Sequence, residues 1–364
     1  MIVRTSRKIE MDYRLDEAVS QSKLKYLLRG VSIYNTVEED DSDEYYSEKA
    51  HFIIGSAVDT LITMGEDTFK KEYYISQLEK KPGKTIMSII VETFDFQMAA
   101  SHGNLDYESF TSDRVKRSIM MAVNNHQWQK RWNDDTRYNK IISLGQEYWD
   151  SLIDAQGKKV LSNEQYITVI HVYQSLMASP FTAHYFEDAE HLELYFQLPV
   201  YFQYNGVSCK GLLDLVIVDH AKGKIYPIDI KTMGDYTIRF PYSFYKRRYD
   251  FQAAFYTQGL MNSNFNKWCY DIENFKFIVE STINPGTPLV FTCTHELLLK
   301  KGKFGIPDKR VGDVVIRGCR GFHQAIEIYK WHLKNGFELD RIVSINEGNL
   351  LLGIEGIIDE NTSK

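Results

Sequence analysis

The sequence predicts an α/β fold in which a mixed central sheet is flanked by helices. Two runs rich in β-branched and large apolar residues, 211–219 and 224–232, are joined by the turn-like segment 220–223 and predict a hairpin. Apolar residues at helical spacing, with stop signals such as Pro180 and Gly336, recur on both sides of this hairpin. This mixture of strands and helices favours a sheet with helices packed on it.

The other elements are predicted from the same signals, in chain order. A helix is expected at 51–62, where small residues at 55–57 permit close approach of another backbone. An amphipathic helix begins at Ser162 and stops before Pro180. The remaining predicted elements are strands at 192–202, 275–280 and 289–294, and helices at 251–256 and from Gly321 to Gly336.

Composition bounds the class of protein. The chain has 364 residues, 43% of them hydrophobic, which is enough for a sizeable core. No run approaches the length of a transmembrane helix, and the first residues have no apolar core of a signal peptide. We therefore expect no membrane contact and a cytoplasmic location.

The four cysteines, Cys209, Cys269, Cys293 and Cys319, lie far apart and form no C-x-x-C pair. This spacing predicts no zinc site and no iron–sulfur cluster, and four reduced, buried thiols.

The net charge of −6 is unevenly distributed along the chain. The acidic run at 38–44 predicts a solvated loop. Basic runs at 114–117, 130–131, 246–248 and 299–303 are candidates for phosphate contact, because the local field matters more than the net charge. Of these, Lys246, Arg247 and Arg248 are the predicted DNA contacts.

Two carboxylates and an amine stand among the apolar residues of the predicted hairpin. If the turn is symmetric, Asp214 lies opposite Asp229 with Cβ atoms about 5 Å apart, and Lys231 shares a face with Asp229. Two close carboxylates in apolar surroundings must take up a proton, pair with a cation or bind a metal ion. Mg2+ suits such ligands and supplies a water of lowered pKa for attack on phosphate. The alternative is a solvated hairpin whose outer face carries these charges.

Two further segments hold polar residues on one face of an element. Gln252 and Tyr256 stand four residues apart on the predicted helix, and Glu193 and Gln197 share a face of the strand that precedes the hairpin. Each segment alone is compatible with ordinary core or surface. Their order along the chain carries the functional information.

This order of motifs resembles the PD-(D/E)XK nuclease superfamily, and within it the RecB-like and RecE-like phage exonucleases, from about residue 20 to about residue 336. Gly211 and Asp214 match the G-x-x-D pattern of the superfamily, and Asp229 and Lys231 match its (D/E)-x-K pattern. The fold implied is a restriction-endonuclease-like core with a mixed sheet and a helical insertion.

The RecB-like branch contributes two further matches. Gln252 and Tyr256 are similar to its Q-x-x-x-Y helix. The segment 55–59 is similar to its G-x-A-x-H motif, with Asp59 in the usual histidine position. Glu193 or Gln197 would fill the acidic position of the first core strand.

The resemblance implies a role for each residue. Asp214 and Asp229 would hold Mg2+, for which Mn2+ is expected to substitute, with the Ile230 carbonyl completing the shell. Lys231 would position the attacking water. In addition, Gln252 and Tyr256 would brace Lys231 and the scissile phosphate, and Asp59 and Glu193 would add or orient a metal ligand.

The implied activity is a Mg2+-dependent exonuclease that hydrolyses phosphodiester bonds from duplex DNA ends in phage-type recombination or repair. The expected partners are DNA ends, a single-strand annealing protein and further copies of the chain, in the host cytoplasm if the protein is phage-encoded. The alternatives are a structure-specific endonuclease on the same fold and a catalytically inactive DNA-binding or assembly protein.

Because the matched motifs span both halves of the chain, we expect one nuclease domain at 50–340. Within it we expect a helical insertion at about 70–180 and a catalytic core at about 185–300. An N-terminal segment with the acidic loop, 1–49, and a C-terminal tail, 341–364, flank this domain.

Overall fold

Two units make up the chain. The first comprises Met1–Gly65 and Thr168–Lys364, and the second is Glu66–Ile167. The acidic run at 38–44 and part of the tail 341–364 lie outside the described residues. The computed structural model describes residues 1–36, 50–78, 82–100, 110–155, 157–307, 309–311, 314–316, 318–345, 351–353 and 356–358.

Strands and helices alternate along the described parts of the chain. The strands are β1 (Ile2–Arg4), β2 (Val19–Ser20), β3 (Tyr73–Ser76), β4 (Lys159–Ser162), β5 (Leu192–Tyr204), β6 (Val207–Asp219), β7 (Lys224–Met233), β8 (Asp271–Ile272), β9 (Phe275–Ser281), β10 (Leu289–Cys293), β11 (Lys309–Val311), β12 (Val314–Ile316), β13 (Leu351–Gly353) and β14 (Gly356–Ile358).

The helices are α1 (Arg7–Leu15), α2 (Gln21–Arg29), α3 (Val31–Thr36), α4 (Ala50–Thr63), α5 (Glu66–Glu72), α6 (Lys84–Ala100), α7 (Asp113–Asn125), α8 (Asp134–Ala155), α9 (Asn163–Ala178), α10 (Phe240–Lys246), α11 (Tyr249–Asn262), α12 (His295–Leu297), α13 (Phe322–Asn335) and α14 (Arg341–Ile345). Single 3-10 turns cover Ala183–Tyr185 and Thr237–Arg239, and a π-helical turn covers Leu298–Lys303.

The first unit is built on a mixed sheet in the order β1, β5, β6, β7, β9, β10. Its centre is the antiparallel series β5, β6 and β7. β7 then pairs with β9 in parallel, β9 with β10 antiparallel, and β1 with β5 in parallel. β2 pairs with the first half of β6, whereas β7 pairs with its second half. β6 therefore changes neighbours midway along its length.

The β6–β7 hairpin closes through a turn that its sequence supports. Gly223 adopts a positive φ of 64°, which costs glycine little. The Asp219 side chain accepts a 3.0 Å hydrogen bond from the Lys222 backbone N–H and also pairs with the Lys222 ammonium. The turn is thereby fixed by local side-chain bonds.

The core of the first unit lies between the sheet and α11. Phe251, Phe255 and Leu260 of this helix are fully buried, together with Phe275 and Phe277 of β9. Gly259 lets the helix lie close to β5, since a Cβ there would stand 3.0 Å from the Phe202 ring. A helix buried on so many sides fixes its polar residues in place as well.

The second unit has its own apolar core among α6, α7 and α8. Ile89, Ile119 and Trp149 are buried there, and the Trp149 ring stacks on Phe110 with centroids 4.8 Å apart. β3 and β4 add a short parallel pair to this unit.

The predicted α/β class and mixed central sheet are confirmed. The predicted helices correspond to α4, α9, α11 and α13, and the predicted strands to β5, β6, β7, β9 and β10. The expectation of four buried thiols holds for Cys209 and Cys293 but is wrong for Cys269, which is exposed, and for the partly exposed Cys319. Within the described ranges, no helix is both long and apolar enough to cross a bilayer.

Candidate active site

The candidate site lies where β6 and β7 separate. Their ladder runs from Asp219↔Lys224 to Leu215↔Ile228, which is the register that a symmetric turn predicts. Beyond Ile228, β7 no longer pairs with β6 but keeps its pairing with β9 on its other edge. Asp214 and Asp229 occupy the next position of this register. They therefore stand at the fork, the point at which the pairing of β6 with β7 ends.

Asp214 is held by the backbone of the opposite strand. Its Oδ2 accepts a 2.9 Å hydrogen bond from the Ile230 N–H, which no longer faces a ladder partner on β6. Burial raises the pKa of Asp214 well above its usual range, and the nearby carboxylates of Asp229 and Asp59 raise the pKa further. The Lys231 charge and the Ile230 N–H act in the opposite direction on this pKa.

Asp229 is almost fully buried, at 1% exposure. Its Oδ1 accepts a 2.7 Å hydrogen bond from Gln252 Nε2. Its Oδ2 accepts no hydrogen bond of acceptable geometry from the described residues and meets the Lys231 ammonium as an ion pair, with Nζ 2.8 Å away. With one polar partner at each oxygen, this buried carboxylate retains capacity to accept further partners.

Lys231 lies two residues after Asp229 and on the same face of β7. Burial acts to lower its pKa, but the carboxylates of Asp229 and Asp214 outweigh burial and hold the pKa above its usual range. The Tyr249 ring centroid lies 5.4 Å from Nζ. Lys231 is therefore a protonated amine held between two aspartates and an aromatic ring.

α11 brings Gln252 and Tyr256 to the fork on successive turns. Both are more than nine-tenths buried. The Tyr256 ring packs on Gly211, where a Cβ would stand 3.1 Å from Tyr256 Cδ1, so the glycine of β6 leaves space for this ring. Burial raises the pKa of Tyr256 well above its usual range, with further contributions from Tyr13, Asp229 and Asp214. Tyr256 is therefore a neutral hydroxyl at the site.

Asp59 reaches the same region from α4. A Cβ at Gly55 would stand 2.7 Å from Thr232 Oγ1, so the small residue permits the predicted close approach of this helix, here to β7. Gln197 Nε2 lies 3.2 and 3.3 Å from the two Asp59 carboxylate oxygens. Burial raises the pKa of Asp59 to about 7, partly offset by the charge of Lys231.

Gln197 interrupts the ladder between β5 and β6. Phe196 pairs with Leu215 and Leu198 with Leu213, so Gln197 falls opposite Asp214 without regular pairing. Its φ of +50° is left-handed, which is uncommon outside glycine. The left-handed conformation of Gln197 occurs together with its side-chain hydrogen bond to Asp59.

The structure does not bring Glu193 to this cluster. Its carboxylate accepts a 2.5 Å hydrogen bond from the Tyr195 hydroxyl and lies 3.2 Å from His220 Nε2, near the other end of β5. The two-residue period of a strand aligns Glu193 with Gln197, but four residues of extended chain separate them by about 13 Å. Of the two candidates, Gln197 alone stands beside Asp214.

The predicted DNA-contacting run is divided in two. Lys246 and Arg247 are exposed. Arg248 has a left-handed φ of 55° and donates to the fully buried Asp250, from Nε to Oδ1 at 3.0 Å and from Nη2 to Oδ2 at 3.1 Å. Its charge is thereby compensated inside the protein, so Arg248 is not equivalent to its two neighbours.

Two residues near the site were missed by the sequence analysis. Lys25 on α2 lies near Lys231, and burial, together with the Lys231 charge, lowers its pKa to about 7. Glu10 on α1 is buried, bonds to Arg7 and Arg14, and raises the pKa of Asp59. Both belong to short amphipathic helices far away in sequence, and no local pattern marks them.

The donor set fits a hard divalent cation bound by two carboxylates. No group of three or more His, Cys, Asp or Glu side chains suited to one ion occurs within the described residues. Mg2+ does not require three, because it is often held by one or two carboxylates and keeps several waters. Asp229 Oδ2 can accept a further partner, and Asp214 lies opposite Asp229 in the hairpin register. The two carboxylates supply ligands of this kind.

Comparison with solved structures finds three similar chains. The solved structure of a putative exonuclease from Eubacterium rectale has a TM-score of 0.33 and 11% sequence identity, over 71% of this chain and 82% of that chain. No protein-family model matches the chain, and no curated protein matches it. A likeness this distant carries no argument about chemistry, which has to be built from the site itself.

Proposed function

We propose that this protein is a Mg2+-dependent deoxyribonuclease with a PD-(D/E)XK core, acting as an exonuclease on duplex ends. The observation that carries the proposal is the placement of two carboxylates, Asp214 and Asp229, at one register position beside a single ammonium group, that of Lys231. Lys231 compensates one of the two negative charges, and the second carboxylate is costly unless it takes up a proton or meets a further cation. A divalent ion at the fork would supply that cation and would also lower the pKa of Asp214.

In this proposal Asp214 and Asp229 hold the ion, with the Ile230 carbonyl as a further oxygen ligand. When bound, Mg2+ supplies a water of lowered pKa and polarises the phosphoryl oxygen. Lys231 stays protonated because its pKa is raised. It therefore donates a hydrogen bond from Nζ to the attacking water or to a phosphate oxygen, and does not act as a general base.

The residues around these three position them. Gln252 orients Asp229 through the 2.7 Å hydrogen bond to Oδ1, which leaves Oδ2 facing Lys231. Tyr256 remains neutral and braces the site from α11. Asp59, restrained by Gln197, supplies an outer carboxylate that accepts hydrogen bonds or orients a ligand.

DNA binding is assigned to the exposed cations near the site. Lys246 and Arg247 would contact phosphates without reading sequence. Arg248 instead stabilises the start of α11 through Asp250. A single-strand annealing protein and further copies of the chain belong to the proposal only through the family resemblance.

The proposal is tested by digesting matched linear and covalently closed circular duplexes with Mg2+ or with chelator. We expect metal-dependent loss of the linear DNA alone, which Asp229→Ala abolishes because it removes a metal ligand. Asp271→Ala, which removes an exposed carboxylate from a strand paired with β7, serves as the matched control and should cut normally.

Other outcomes would select the alternatives. Cleavage of the circle would favour a structure-specific endonuclease, since an exonuclease needs an end. No cleavage of either substrate would favour a non-cutting DNA-binding protein, a possibility raised by the amide of Gln197 beside Asp214. Full activity in Asp229→Ala would refute the assignment of the fork as the active site.

A further inference from the structure

An exposed apolar surface follows the catalytic strand directly. Tyr236, Ile238, Tyr242 and Tyr245, here named the aromatic ridge, are 52%, 71%, 71% and 51% exposed. They fall within ten residues: Tyr236 precedes the 3-10 turn after β7, Ile238 lies on that turn, and Tyr242 and Tyr245 lie on α10. Clustered exposure of large apolar side chains marks an interaction surface more often than scattered exposure does.

The ridge is held in place by the opposite side of α10. Phe240 and Phe244 are 2% and 7% exposed, and the Phe240 ring lies 4.9 Å from that of Phe291. Pro241 at the first turn fixes the helix start. The exposure of Tyr242 and Tyr245 therefore results from a helix packed on its other side.

Two ring contacts connect the ridge to the candidate active site. The Phe240 ring stacks on Tyr249, with centroids 5.7 Å apart and planes at 16°. The Tyr249 ring in turn lies 5.4 Å from Lys231 Nζ. The helix that carries Tyr242 and Tyr245 is thus linked to the candidate active site through Phe240 and Tyr249.

Lysine ammonium groups lie over two of the rings of the ridge. Lys246 Nζ lies 5.7 Å from the Tyr242 ring, and Lys301 Nζ lies 4.0 Å from the Tyr245 ring. Arg247 is exposed and adds further positive charge, whereas the charge of Arg239 is paired with Asp235. Aromatic faces interleaved with basic groups complement a ligand that carries both stacking surfaces and negative charge, which describes unpaired nucleotides.

We propose that the aromatic ridge binds unpaired nucleotides of a DNA strand, whose bases stack on Tyr242 and Tyr245 while Lys246 and Lys301 contact the adjacent phosphates. This proposal rests on the nuclease function and adds a single-strand subsite beside the cutting site. A duplex end whose terminal pairs open would be captured there, so frayed or overhanging ends are the favoured substrates.

The test is equilibrium binding of fluorescently labelled single-stranded and blunt hairpin DNA, measured by anisotropy in chelator so that no cutting occurs. Tyr242→Ala and Tyr245→Ala should each weaken single-strand binding by about 5- to 100-fold, because each loses one stacking contact. The salt dependence should stay unchanged, since no phosphate contact is removed. Tyr242→Trp should retain affinity.

Phe181→Ala is the matched control, because Phe181 is 63% exposed but lies outside the ridge, and it should bind like the wild type. Unchanged single-strand affinity in both tyrosine variants would overturn the proposal. So would full affinity in Tyr242→Leu, which keeps an apolar side chain without a stacking face. A wild-type dimer that dissociates in Tyr242→Ala would reassign the ridge to contact between copies of the chain.

The proposed nuclease function and the proposed single-strand subsite on the aromatic ridge can be refuted independently. If the wild type binds single strands through the ridge but cuts no DNA, the nuclease function fails and the ridge stands. If the wild type cuts linear DNA and the tyrosine variants bind and cut equally well on blunt and frayed ends, the ridge fails and the nuclease function stands.

Discussion

Lys210 on β6 and Lys231 on β7 belong to neighbouring strands but have opposite surroundings. Lys210 is completely buried, and its Nζ donates to the backbone carbonyls of Tyr13, Arg14 and Asp16 at 2.9, 3.1 and 2.8 Å. Lys231 keeps 25% of its side chain exposed and pairs with Asp229. An ammonium group has three donors, so the fold itself saturates Lys210.

In the proposed function, Lys210 has a structural role, whereas Lys231 takes part in the reaction. The carbonyls around Lys210 belong to the last turn of α1 and its cap, where a helix presents partial negative charge, so this lysine fixes the helix end. Lys231 instead faces a carboxylate that retains acceptor capacity. The same contrast holds for two buried aspartates, because Asp250 is bound on both oxygens by Arg248 and Asp229 is not.

The largest effect is expected for activity. Lys231→Met should reduce cutting of linear DNA by about 100-fold or more, because it removes a positioned cation from where charge develops on phosphate. Lys210→Met should still cut at a temperature at which it remains folded. The rates of metal-dependent digestion by the two variants measure this difference in activity. Equal losses of activity in both variants would contradict the distinction between the two lysines.

The next effect concerns folding. Lys210→Met should lower the free energy of unfolding by about 3 kcal/mol, because three charge-assisted hydrogen bonds vanish and buried carbonyls lose their donor. Denaturant unfolding with and without Mg2+ measures this loss relative to the wild type. The difference between the two proteins should be the same in both conditions, because both keep the carboxylates of the fork.

Lys231→Met provides the contrast in the same experiment. It leaves Asp229 without its cation, so Mg2+ should restore stability by about 1–3 kcal/mol when its concentration is 10–100 times the dissociation constant. Mg2+ should also stabilise the wild type and Lys210→Met, which keep both carboxylates, but the gain should be larger in Lys231→Met, where no ammonium competes with the ion. The absence of any gain in all three proteins would contradict the placement of the ion at the fork.

Much of the site follows from short-range sequence rules. The turn at 220–223 sets the hairpin register that places Asp214 and Asp229 at the same position, and the two-residue period puts Lys231 on the face of Asp229. Helical spacing likewise brings Gln252 and Tyr256 to one side of α11. These relations need only local geometry.

The remaining features depend on backbone and tertiary details that periodicity does not contain. The left-handed conformation of Gln197 turns its amide to Asp59, and that of Arg248 directs its guanidinium to Asp250. Glu193 shares the strand face of Gln197 but lies too far along the strand. Lys25 reaches the site only through the packing of α2.

The smallest effect is a change in pH dependence, which compares Asp59 with an exposed carboxylate. The pKa of Asp59 is raised to about 7 by burial, and its ordinary value is 3.8. Between about pH 4 and pH 7, the folded protein keeps a proton on Asp59 that the unfolded chain has released. The stability from this group is therefore complete below about pH 4 and is lost as the pH rises through 7.

Asp59→Asn should remove this dependence while leaving an acceptor for Gln197. The difference in unfolding free energy between the wild type and Asp59→Asn should fall as the pH rises from about 4 to 7 and be flat above that. Denaturant unfolding across this range measures the difference. Asp12→Asn, which removes an exposed carboxylate from α1, is the control and should keep the wild-type slope. A slope unchanged in Asp59→Asn would mean that the carboxylate is already ionised below neutral pH, as it would be if the Lys231 ammonium outweighed burial at this position.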